Sequence, residues 1–182
     1  HFWYDTCYLF CIMKKLLLPL IIAFSGVSVY GQDNTSAKPI NISTSDYVEF
    51  SPTISGDGKT MVFQSNREGG YRLYESTLLS ENNWSEPKSI EAINKQGKPN
   101  YLIGGPCLSH DGKTLYFCAM LAHSISDMDI YISKKNNKNE WSSPTNIGLP
   151  ITTRNSETFP SISPDGKTLF YTLTKVDGMD AK

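Results

Sequence analysis

The chain has 182 residues, 39% of them hydrophobic, 12% aromatic and only 19% charged, a balance that suits a packed core and excludes a disordered chain. Seventeen basic and 18 acidic residues leave a net charge of −1, which excludes an extended basic groove and gives no expectation of a nucleic-acid partner. Such a length allows one ordinary domain or part of a larger one.

Met13 opens a stretch in which Lys14 and Lys15 precede the apolar run LLLPLIIAF and then the small or turn-prone SGVSVYG. This is the three-part layout of a secretory signal peptide. Translation is therefore expected to begin at Met13, with residues 1–12 an upstream leader, 13–31 the signal and 32–38 a linker after a cut at Gln32. A transmembrane anchor is the competing reading, but the apolar run falls short of the roughly 20 residues that a spanning helix needs. Val29 and Gly31 occupy the two small-residue positions before the cut, and no Cys stands there to carry a lipid. The expected product is exported, with no stable membrane span after cleavage.

Beyond the linker the chain repeats itself, the signature of a repeat architecture. PTISGDGKTMVFQS from Pro52, PCLSHDGKTLYFCA from Pro106 and PSISPDGKTLFYTL from Pro160 place Asp57, Asp111 and Asp165 54 residues apart twice. YRLYES from Tyr71 matches MDIYIS from Met128, and WSEPKSI from Trp84 matches WSSPTNI from Trp141, both shifted by 57. Each repeat reads as four short strands. The first ends at Ser55, Ser109 or Ser163, and an Asp-Gly turn follows, with Gly58, Gly112 and Gly166 supplying positive φ in a three-residue hairpin with a bulge. Met61 and Phe63, Leu115 and Phe117, and Leu169 and Tyr171 then alternate with the residues between them, the period of a strand with a core face. The third strand is YRLYES or MDIYIS, and the fourth carries the Trp and Pro. No helical periodicity is found after Gln32.

Of the four Cys, Cys107 and Cys118 fall in the exported part. The expected register sets Cys107 opposite Leu115, three residues short of Cys118, a separation of roughly 10 Å that a disulfide does not span. No His or second Cys pair stands at ligand spacing, so no metal or cofactor is implied.

Four-stranded units of this length in series fit blades of a β-propeller, stacked face to face around an axis. The S-P-D-G-K-T-L-F-Y string, the D-I-Y strand and the W-x-x-P strand resemble the TolB-like, WD-like propeller repeat of exported bacterial proteins. The resemblance covers residues 39–182, as repeats 39–95, 96–152 and an incomplete 153–182, or about 2.5 to 3 blades. Gly56 and His110 depart from it where Pro164 stands in the third copy, and Arg72 stands where the second copy has Asp129. PINISTSDYVEFSP resembles the join ITTRNSETFP, as if residues 39–44 were the last strand of a blade begun elsewhere. Propellers have at least about four blades, so a natural chain continuing past Lys182 is expected. The third repeat, without a Trp strand, is expected to leave an open edge that invites a partner.

Asp57, Asp111 and Asp165 suggest a carboxylate ring for a cation or a sugar, but capping of their own turns explains all three. A sialidase Asp-box is rejected, because Asp and Gly are adjacent here and Met61, Leu115 or Leu169 stands where the box has an aromatic. Glu49 and Glu157 stand three residues before the strand Pro, where Ile103 stands in the second repeat. In similar repeats an acidic residue here lies near the central channel, so the pair is a candidate binding mouth, with a solvated edge or a hydrogen bond to the neighbouring blade as the alternative. Asp129 and Asp180 are candidates for the same channel, with Arg72 as counter-charge. Trp84 and Trp141 suit stacking on a sugar or peptide, while their fixed spacing to Pro87 and Pro144 suits repeated packing; Tyr74 and Tyr131 share that alternative.

His110 and His123 stand apart from any G-x-S-x-G elbow or H-E-x-x-H helix, and EGGYR from Glu68 reads as a turn, so catalysis is not expected in residues 32–182. The leading expectation is a non-catalytic, exported scaffold whose partner is a protein or a cell-envelope component, in the periplasm or at the outer surface. Relatives with this repeat are often joined to an OmpA-like peptidoglycan-binding domain, so the resemblance implies envelope association. Two alternatives stay open: the gating propeller of a prolyl-oligopeptidase-like hydrolase whose catalytic domain lies beyond residue 182, and a glycan-binding propeller using Glu49 and Glu157.

Overall fold

A computed structural model describes residues 39–97, 102–122 and 124–175, all within the unit Lys38–Lys182. The expected leader, signal peptide and linker, together with His123 and Asp180, lie outside the described residues.

Three antiparallel sheets follow one another along the chain. The first holds β1 (Glu49–Ile54), β2 (Thr60–Ser65), β3 (Arg72–Ser80), and the two short strands β4 (Asn83–Trp84) and β5 (Lys88–Ser89), both paired with β3. A single helical turn, α1 (Glu91–Asn94), leads to the second sheet of β6 (Ile103–Leu108), β7 (Thr114–Ala119), β8 (Asp129–Lys134) and β9 (Thr145–Asn146). The third is the pair β10 (Ser156–Ile162) and β11 (Leu169–Thr174). This is a nearly all-β partial propeller: two blades and the inner half of a third.

The second strand of each blade explains the stacking. In β2 the residues Met61 to Ser65 are all buried, so both faces are covered. Val62 and Leu73 of the first blade share one core with Ile103, Leu108, Leu115, Phe117, Ala119 and Tyr131 of the second, while Met61, Phe63, Tyr74 and Trp84 form a separate cluster with Ile42 on the other face. A strand alternating around a sheet plane feeds two cores at once, which is why one blade alone has no stable burial.

Several details differ from the sequence reading. The hairpin connection is four residues long: Ser55 N–H bonds Thr60 O at 2.9 Å, while Thr60 N–H turns to Ser55 Oγ at 3.0 Å. That side-chain capture displaces the three-residue register, although Gly58, Gly112 and Gly166 do adopt φ of 72°, 70° and 72°. Cys107 consequently faces Tyr116 rather than Leu115, Cys118 faces Gly104, and both cysteines are free. The fourth strand is broken around Pro87 and Pro144, which lack the N–H that a ladder needs. Finally, Ile90 and Ile93 are buried around α1, whose Asn94 side chain bonds Leu73 N and O at 3.0 and 2.8 Å; one turn is too short to carry a helical period.

Residues 39–44 form a turn rather than a strand, closed by Ser43 N–H to Ile40 O at 3.0 Å. Asn41 takes the place of a neighbouring strand by bonding both Trp84 N (2.8 Å) and Trp84 O (2.7 Å).

Candidate functional site

Glu49 stands at the first position of β1, and Arg67 follows β2 in the adjacent loop. Their side chains meet at 2.7 Å, both mostly buried, and the same guanidinium nitrogen donates to Ile42 O at 2.9 Å. Tyr47 and Phe63 flank the cation, at 4.9 and 5.9 Å from their ring centroids. Glu49, Phe50, Pro52, Met61 and Phe63 line a crevice of about 140 Å³ closed on its other side by Ile40 and Ile42. Three buried polar atoms of this blade, Ser65 Oγ, Arg67 Nε and Tyr74 OH, lack a hydrogen-bond partner among the described residues. Burial pushes the Tyr74 phenol up to about 12, with the nearby Glu68 charge adding to it.

Glu157, 108 residues after Glu49, has a different setting. It is fully buried, and its carboxylate accepts from Thr153 N (3.2 Å) and, in a short contact, from Thr153 Oγ1. The structure therefore does not bring Glu49 and Glu157 together as one pair of open carboxylates. Asp129 is also fully buried; it accepts from Ile125 N (2.7 Å), Ser126 Oγ (2.8 Å) and Asn146 Nδ2 (2.8 Å), and Asn146 in turn accepts from Thr152 Oγ1 at 2.7 Å. A buried carboxylate with this many donors holds a loop in place. Arg72 opens β3 and donates to Tyr71 O at 2.9 Å.

The tryptophans pack. Trp84 is buried in the cluster of Met61 and Phe63. Trp141 is half-buried; its Nε1 donates to Glu75 Oε2 at 2.5 Å, and Lys135 lies 4.8 Å over its ring while bonding Glu75 Oε1 at 2.6 Å. Glu75 is on the first blade and Trp141 on the second, so this triad joins two blades.

The three turn aspartates are alike. Asp57 accepts from Ser55 Oγ at 2.6 Å and from Lys59 N–H at 3.0 Å; Asp111 accepts likewise from Ser109 Oγ and Lys113 N–H, and Asp165 from Ser163 Oγ and Lys167 N–H. The serine hydroxyl foremost, then the backbone N–H, holds each carboxyl below its ordinary value. Among the described residues no cluster of three His, Cys, Asp or Glu is arranged to hold a metal ion.

Sequence reasoning missed several contributors. Arg67 and Tyr47 carry no repeat signal. Ser85 and Ser142, which follow the tryptophans, each accept a backbone N–H of the third strand and take a serine hydroxyl from it on their carbonyl, at 2.6 and 2.7 Å; the repeated W-S dipeptide was the available sign. Ser51, Gly105 and Phe159, each before a strand Pro, all have positive φ (52°, 57° and 50°) at a register shift of the inner strand. Gly105 was the single trace of it in the sequence.

No protein-family model and no curated protein sequence matches the chain. Among solved structures it is similar to a protein taken to be a TolB, from Agrobacterium tumefaciens, with a TM-score of 0.51 at 19% identity over 73% of this chain. The fold is TolB-like. TolB from Acinetobacter baumannii also matches, with a TM-score of 0.47 at 21% identity over 66% of this chain. The match spans 41% of the Agrobacterium protein and 25% of the Acinetobacter protein. No helix among the described residues is long and apolar enough to cross a membrane.

Proposed function

We propose that the protein is a non-catalytic, exported propeller that serves as an interaction scaffold for a protein or another cell-envelope component. On this reading residues 1–12 are a leader, 13–31 a signal peptide, 32–38 a linker and 39–182 propeller repeats. The observation that carries the proposal is where the polar chemistry goes: Asp57, Asp111, Asp129, Glu157 and Asp165 all spend their carboxylates on neighbouring turns and loops. Phe159 and Leu149 are exposed, and the crevice beside Glu49 is smaller than the roughly 300–1,000 Å³ of a small-molecule site, while a second crevice of about 400 Å³, lined by Ile132, Lys134, Ser142, Thr145, Asn146 and Ile147, is at the low end of that range. The buried Glu157 gives no support to a glycosidic pair with Glu49, and the TolB-like fold favours protein partners.

The test is retention from a detergent-solubilised envelope extract on the immobilised chain. A saturable partner, competed by free protein, is expected. Recovery of nothing beyond what a denatured control retains would overturn the scaffold reading.

A further inference from the structure

Two connections of the second blade leave at the same end and meet on one carboxylate. β7 runs away from its Asp-Gly turn, and β8 and β9 follow in antiparallel alternation, so segment 120–128 after β7 and segment 147–155 after β9 both emerge opposite the turns. Oδ2 of the fully buried Asp129 accepts from Ile125 N–H of the first segment at 2.7 Å and from Asn146 Nδ2, at the root of the second, at 2.8 Å. Asn146 Oδ1 accepts from Gly148 N–H at 2.8 Å and Thr152 Oγ1 at 2.7 Å, while Gly148 O takes the N–H groups of Ile151 and Thr152. Ser124 Oγ braces the first segment, accepting from Leu121 N–H and bonding Tyr131 OH, both at 2.9 Å. The first repeat has Arg72 and Ser89 at the positions of Asp129 and Asn146, and its loop after β2 is three residues shorter.

What these braced loops display is apolar. Ile125 is 59% exposed and Leu149 83%. The connections at the opposite end, 55–59, 81–82, 109–113 and 135–144, expose no large apolar side chain among the described residues. A further repeat of the chain is not the occupant. Blades meet through the faces of their strands, and the second blade already has the first on one face and the third on the other. Asp127, two residues from Ile125, is exposed and pairs with no cation among the described residues. A carboxylate beside an apolar patch is repelled by an anionic lipid surface and attracts a basic side chain.

We propose that Ile125 and Leu149 form an anchor site for a partner protein, which sets a large apolar side chain against them and a lysine or arginine opposite Asp127. The proposal rests on the scaffold reading and gives that reading a place and a chemistry. The loops are held before the partner arrives, so little ordering entropy opposes binding. Apolar anchors in fixed surroundings are where interface energy concentrates.

The test begins with a random peptide library panned on the immobilised full chain. The consensus peptide is then titrated by fluorescence anisotropy against wild type, Ile125→Asp, Leu149→Asp and Asp127→Lys, with circular dichroism confirming that each variant folds. The expected consensus is a large apolar residue close to Lys or Arg. Ile125→Asp and Leu149→Asp should each weaken it about tenfold or more, and the loss in Asp127→Lys should shrink at high salt. No consensus, a consensus without an apolar residue, or affinity unchanged in both aspartate variants overturns the proposal. So does flotation with phosphatidylcholine–phosphatidylglycerol vesicles, or self-association in sedimentation velocity, that these two substitutions abolish. An envelope partner retained equally by wild type and both variants would overturn this site and leave the scaffold reading standing.

Discussion

Gly104→Ala tests whether the blades are locked as tightly as the geometry says. A methyl carbon built on Gly104 lies 2.4 Å from Gln64 Oε1, 2.5 Å from Nε2 and 2.6 Å from Cδ. Ordinary contact needs about 3.5–4.0 Å, so the amide must retreat by about 1 Å. It has no solvent to retreat into, because Gln64 is 2% exposed between the first two blades. Overpacking of this kind costs about 1–3 kcal/mol. Displacing the amide also weakens the bond from Gly105 N–H to Gln64 Oε1, already long at 3.4 Å and worth about 1 kcal/mol at most. The expected loss is about 1–4 kcal/mol, read as a fall of about 0.5–2 M in the urea midpoint for a slope of about 2 kcal/mol/M. Gln64→Ala alone is also destabilising, through the hole it leaves. In the double variant the new methyl has room, so the two losses should fall short of additivity by at least about 1 kcal/mol. A Gly104→Ala protein with the wild-type midpoint, or strict additivity in the double variant, would refute the steric argument.

The same repeat position is expected to respond with opposite signs in the two blades. Tyr131 OH bonds Ser124 Oγ at 2.9 Å, so Tyr131→Phe should cost about 1 kcal/mol, whereas Tyr74 OH is buried without a hydrogen-bond partner among the described residues and Tyr74→Phe should be neutral or stabilising by a similar amount in thermal or urea unfolding. A carboxyl held below its ordinary pKa stabilises the fold only while ionised, so the contributions of Asp57, Asp111 and Asp165 are complete above about pH 4 and disappear as the pH falls toward their lower folded values. The urea midpoint should therefore drop on acidification below about pH 4, and replacing all three with Asn should flatten that limb; an unchanged acid limb would show that the turns do not carry it.

What could be read from the sequence was what the chain repeats within a few residues. The Asp-Gly turn is complete within Ser55 to Thr60, so its donors and acceptors travel with the motif, and the three copies agree to about 0.1 Å. Glu49 and Glu157 show the opposite. They match in position, yet Glu49 pairs with Arg67 from the loop after β2, and Glu157 turns to Thr153 in the connection before β10. Those partners lie outside the repeated strings and differ between copies, so equivalent position did not imply equivalent environment. Asp129 was legible as a matching residue but not as a buried one, because Ile125 and Ser126, which hold it, sit in the connection between β7 and β8, which is three residues longer than that between β2 and β3.

The departures from the repeat also proved informative once seen in pairs. Gly56 and His110 both stand where the third copy has Pro164. A methyl carbon at Gly56 would fall 2.1 Å from His110 Cε1, and Gly56 N–H donates to His110 O at 2.7 Å, so the glycine makes room for the imidazole of the next blade and supplies the N–H that a proline lacks. The joint between inner strands, where Leu108 N–H donates to Thr53 Oγ1 and Ile162 N–H to Cys107 Sγ, varies for the reverse reason. It asks for one lone pair about 3 Å from a neighbouring N–H, and a threonine hydroxyl or a cysteine thiol provides it. Positions that hold blades together thus look irregular in a single chain, because each is tuned to the blade beside it. Residues that look invariant serve their own turn.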